Sequence, residues 1–88
     1  MFRTKRAVND AGWIFYFSQE VNIQITMWFV FYPIDIVFLD AQKKVIEVVE
    51  GIKPFRNYAS KKPASYFIEL DAETIKRKNI AVGQILEF

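Results

Sequence analysis

Residues 21–39 read Val21-Asn22-Ile23-Gln24-Ile25-Thr26-Met27-Trp28-Phe29-Val30-Phe31-Tyr32-Pro33-Ile34-Asp35-Ile36-Val37-Phe38-Leu39, and their period decides the fold. Up to Tyr32 the side chains alternate. Val21, Ile23, Ile25, Met27, Phe29 and Phe31 fall on one face; Asn22, Gln24, Thr26, Trp28, Val30 and Tyr32 fall on the other. A helix would need apolar residues at steps of three and four, so strict alternation over this length predicts a strand. Pro33 has no amide to donate to a ladder and marks a corner or a strand boundary. The run Ile34–Leu39 resumes as a strand, Asp40 to Lys43 make a short turn, and residues 44–49 return, which is a hairpin with a three-to-five residue loop.

Working outward, residues 13–17 are aromatic and β-branched and predict another strand. Residues 1–11 mix Arg3, Lys5, Arg6, Asn9 and Asp10 with few apolar side chains and read as an irregular lead-in or a short helix. Residues 51–63 collect Gly51, Pro54, Asn57, Ser60 and Pro63 with four basic side chains, the composition of a long surface loop. Residues 66–70 predict a strand. Asp71 is positioned to cap a short helix near residues 72–78 through the amide of Thr74, and Asn79 suits the left-handed residue that ends it. Residues 80–88 predict a closing strand. The fold class is therefore mainly β: a small β-sandwich, or curved antiparallel sheets, with one short helix, in a single domain over residues 1–88.

Composition bounds the chemistry. With 88 residues, 52% of them hydrophobic, the chain carries one core and enough apolar mass to fold. Twelve basic against ten acidic side chains leave a formal charge of +2, too balanced to require nucleic acid or an anionic membrane. There is no Cys and no His. These absences remove disulfides, thiolate nucleophiles, the commonest general base and the usual zinc and iron ligands, so no cofactor or metal is expected. The most apolar stretch, residues 25–39, is broken by Pro33 and Asp35 and is shorter than the roughly 20 residues of a spanning helix. No secretory leader is read in residues 2–10, and the expected location is the cytoplasm.

The run from Pro33 to Asp40, the pair Lys53-Pro54 followed by an aromatic, residues 45–48, 64–70 and 80–86, Met27 six residues before the proline, and Gly12 with Phe15 and Phe17 share an order and spacing. On these residues the chain resembles the domain of unknown function 192 family from about Gly12 onward. The resemblance implies a compact β-sandwich-like domain, and no activity is assigned to that family. It also implies a Gly where Lys43, and another where Glu73, stands here, an Asp in place of Gln84, and an additional strand before Met1 in most members.

Three function classes follow. A binding or protein-interaction module comes first, because apolar and aromatic residues are abundant while catalytic residue types are scarce. An enzyme comes second, resting on Asp35 and Glu69, carboxylates set in apolar strands that would share a proton or a cation if they faced each other. The simpler account of both is structural, with Asp35 bonding backbone amides after the Pro33 corner. A nucleic-acid binder comes third, through Lys53, Phe55, Arg56 and Tyr58 on the basic loop 53–62, where aromatics interleave with cations. Against it, the same aromatics pin a loop to a core equally well. Finally, Trp28, Val30 and Tyr32 follow polar residues on the second face of the long strand, and the expected covering is a second copy of the chain about a two-fold axis, the alternative being a monomer whose residues 1–11 fold over them.

Overall fold

In a computed structural model residues 2–6, 12–26 and 31–87 are described. The elements are β1 (Phe2–Arg6), β2 (Gly12–Val21), β3 (Gln24–Thr26), β4 (Ile34–Leu39), β5 (Val45–Ile52), β6 (Asn57–Ala59), β7 (Ala64–Asp71) and the helix α1 (Thr74–Lys78). Five strands form one antiparallel sheet in the order β1-β2-β7-β4-β5, and β3 pairs with β6 in a second, two-stranded sheet. Antiparallel strands with one short helix are the class that the alternation predicts. Among the described residues no helix is long and apolar enough to cross a membrane.

Both faces of the large sheet are covered, which explains why β4 is buried at all six positions. On the first face Ile34, Ile36, Phe38 and Phe67 pack with Ile23 and Ile25, brought in by the small sheet. On the second face Ile14, Val37, Leu39, Ile68 and Leu70 pack beneath Ile75 of α1, with Ile80 and Leu86 from the C-terminal segment. The small sheet is tied at its corner by Ser60. Its hydroxyl accepts the Ile23 amide at 2.9 Å and its own amide donates to the Ile23 carbonyl at 2.8 Å. Further along, Tyr58 stacks on Phe38 with ring centroids 5.9 Å apart and donates its hydroxyl to Glu47 of β5. Burial, and after it the bond to Glu47 and that carboxylate's charge, push the Tyr58 phenol up to about 12, so it stays protonated at any ordinary pH.

The β4–β5 ladder carries a bulge that sets the second face. Ile34 pairs with Ile52 but Ile36 pairs with Val49, so between these two pairs β5 holds one residue more than its partner. Gly51 takes the strained position with φ 64°, and its amide leaves the ladder to donate to Asp35 Oδ1 at 2.9 Å. Asp35 Oδ2 accepts the Ile75 amide, also at 2.9 Å, from the first turn of α1. Asp35, fully buried, thus satisfies two orphan amides from two elements.

Several local expectations change. Residues 2–6 form β1 rather than an irregular lead-in; their Lys and Arg suit an edge strand. The long strand does not run from Val21 to Tyr32. The chain leaves the large sheet after Val21 and enters the small one at Gln24, while residues 27–30 lie outside those described. The loop 51–63 is divided, with Gly51 and Ile52 in β5 and residues 57–59 in β6. Asp71 does not cap α1 with its carboxylate. Glu73 precedes the helix at φ 72° with no side-chain cap, and Asp35 takes over that role from 40 residues away. Of the expected closing strand over residues 80–88, the described residues 80–87 supply one bridge, Lys44 to Ile85, in place of a strand. Asn79 does end the helix at φ 55°, with Ile80 donating back to Ile75 as in a Schellman turn.

Two outcomes follow. Removing the buried carboxylate in Asp35→Ala leaves the Gly51 and Ile75 amides without partners, and chemical denaturation is expected to show a loss of about 3 kcal/mol. Lys43, at φ 66° in the hairpin turn, holds a left-handed conformation that costs a side chain on the order of 1 kcal/mol. Lys43→Gly is therefore expected to match or exceed the parent in the same measurement.

Candidate functional site

A cleft of about 320 Å³ opens on the first face of the large sheet, between β2, β7 and the segment that leads into β3. Its geometry follows from the antiparallel register. Phe15 lies directly opposite Phe67, so the two rings share a face and stack with centroids 4.5 Å apart and planes 3° from parallel. Phe17, two residues on, adds a third ring 6.3 Å from Phe67. Ile23 and Ile25, both buried, close the apolar wall from the other side. Asn22 and Gln24 alternate with them, line the cleft and remain exposed at its mouth.

Glu69 is the charged side chain among the residues lining this cleft. On β7 it sits two positions beyond Phe67, hence on the same face, between Trp13 of β2 and Ile36 of β4 in register. Among the described residues no hydrogen bond or ion pair reaches its carboxylate. Burial among apolar neighbours pushes the Glu69 carboxyl above the usual range, because the charged form has lost water without gaining a partner.

Asp35 and Glu69 lie on neighbouring strands but do not form a pair. Asp35 is opposite Leu70, and Glu69 is opposite Ile36, one position along. Successive residues of a strand point to opposite faces, so Asp35 faces α1 and Glu69 faces the cleft. The paired-carboxylate site is corrected by this register. Among the described residues no group of three or more acidic side chains lies close enough to hold a metal ion.

The basic loop is also rearranged. Lys53, Phe55 and Arg56 are exposed, whereas the Tyr58 ring is committed to Phe38 and its hydroxyl to Glu47. Phe55, at φ 62°, meets Phe31 edge to face with centroids 5.6 Å apart. Tyr32 is 61% exposed, while Trp28 and Val30 lie outside the described residues. Lys43 and Glu73, where the resemblance implies Gly, both have positive φ, so these positions answer to backbone geometry. Sequence reading missed the role of Phe15, Phe17 and Phe67. Their period-two spacing was visible, but it reads as core, and only the register between β2 and β7 turns three core rings into one wall.

Among the described residues, the fold and site define a small antiparallel β domain with an aromatic-walled cleft in which Glu69 is the carboxylate. The chain belongs to the DUF192 family, described as an uncharacterized ACR, whose profile matches residues 1–88. It is 31% identical to a UPF0127 protein of Pyrococcus furiosus over all of this chain and 73% of that protein. It is 35% identical to one of Pyrococcus abyssi over 82% of this chain and 61% of that protein. Two solved structures are similar. One, from Sinorhizobium meliloti and provisionally described as a transcription regulator, has a TM-score of 0.79 and 26% identity, covering 84% of this chain and 59% of that one. The other, a protein of unknown function from Novosphingobium aromaticivorans, has a TM-score of 0.78 and 19% identity, covering 85% and 55%. The chain thus spans little more than half of either solved protein.

The Glu69 environment sets a pH dependence. A carboxyl raised in the folded state contributes stability that is complete below its ordinary unfolded pKa and is lost as pH rises through the folded value. Glu69→Gln is therefore expected to be at least as stable as the parent at neutral pH, with the difference shrinking as the solution is made acidic. Denaturation of both proteins at the two pH values checks it.

Proposed function

We propose that this chain is a binding module that takes a small, largely apolar molecule into the cleft between β2, β7 and the approach to β3. The observation that carries the reading is the cleft itself: about 320 Å³, walled by Phe15, Phe17, Phe67, Ile23 and Ile25, with few polar groups. Small-molecule sites are concave, mostly apolar and have a few placed polar groups, with volumes of roughly 300–1,000 Å³. A carboxylate enzyme is less well supported, since the register separates Asp35 from Glu69. Nucleic acid is less well supported because Tyr58 is engaged inside the fold.

A titration with the neutral probe 2-phenylethanol, followed by amide shifts in two-dimensional NMR, tests the reading. The expected result is saturable shifts confined to β2, β7 and residues 22–25, with an affinity on the order of millimolar, as befits so few atoms. Gln24→Trp, placed at the exposed mouth, is expected to weaken binding without loss of folding. Shifts spread evenly over the sheet, or none at the solubility limit, would remove the proposal.

A further inference from the structure

Resting on the cleft reading above, we infer that the molecule it takes carries a cationic nitrogen, a protonated amine on an apolar or aromatic body, and that Glu69 receives that nitrogen. The cleft joins two features that recognise such a group. Among the described residues Glu69 is the one charged side chain lining the cleft, flanked by Ile36 and Trp13 in register and preceded on its face by Phe67. The walls, the rings of Phe15, Phe17 and Phe67 with the Ile23 and Ile25 side chains, suit the apolar or aromatic body that carries it. A neutral ligand would leave the carboxylate desolvated and unpaired, and an anion would add repulsion, whereas an ammonium supplies both a counter-charge and donors.

The cations of the described side chains lie elsewhere. Lys43 and Lys44 are at the β4–β5 hairpin, Lys53, Arg56, Lys61 and Lys62 are around β6, and Lys76, Arg77 and Lys78 are on α1. None of them lines the cleft. The competing partner from within the chain is Arg6, whose backbone position on β1 is opposite Trp13, two strands from Glu69. Asn22 and Gln24 at the mouth offer amides to a second polar group of the ligand but bring no charge.

Three probes of one shape separate the possibilities: phenethylamine, 2-phenylethanol and 3-phenylpropionate, titrated against the whole chain by NMR at neutral pH. The amine is expected to bind about tenfold tighter than the alcohol, a charge-assisted bond against a neutral one, and the acid weakest. In Glu69→Gln the preference for amine over alcohol is expected to vanish while the alcohol still binds. That variant keeps the fold on the argument given for its stability, and its amide spectrum verifies this. Equal binding of amine and alcohol by the parent would overturn the inference and leave the cleft reading intact; no binding of any probe would overturn both. A preference for the amine that emerges only in Arg6→Gln would also overturn it, showing that the chain supplies its own cation.

Discussion

The buried carboxylate of Asp35 holds three parts of the molecule in register. It sits in β4, a strand covered on both sides, where an ionised group is costly unless its oxygens are bonded. Both are: one oxygen accepts from Gly51 at the β5 bulge, the other from Ile75 at the start of α1. A helix of five residues has little stability of its own, and α1 is held by this bond together with the burial of Ile75. With α1 and the C-terminal segment fixed over Ile68 and Leu70, one face of the sheet is sealed. The opposite face is covered over β4 by the small sheet, and the cleft lies where that cover meets β2 and β7.

Much of this was legible. The hairpin of β4 and β5, the strand around residues 66–70, the short helix and the left-handed Asn79 all follow from alternation and turn chemistry. The alternation of residues 21–25 also predicts which side chains are buried, with Ile23 and Ile25 inside and Asn22 and Gln24 outside. What it does not reveal is that the chain changes sheets at that point. Alternation records which side faces the core, not which strand supplies the hydrogen bonds. β1 escaped notice because an edge strand with charged side chains lacks an apolar signal. The cap on α1 escaped because its donor of electron pairs is 40 residues distant, beyond any local pattern.

The same limit governs the candidate site. Asp35 and Glu69 stand out equally in sequence, as acids within apolar strands. Only the register assigns one to a bonded interior and the other to an apolar cleft, and the two settings have opposite consequences: Asp35 supports the fold, whereas ionised Glu69 strains it. A group held at a cost to stability is more telling of function than one that stabilises. Membership of DUF192 establishes kinship and fold without assigning an activity, so the cleft has to be argued from its own residues.

The most direct measurement is a crystal structure of the chain grown with phenethylamine. The account predicts the phenyl ring against Phe15 and Phe67, and the ammonium within hydrogen-bonding distance of a Glu69 carboxylate oxygen. A cleft filled by the chain's own side chains, or an amine bound elsewhere with Glu69 facing only water, would contradict it.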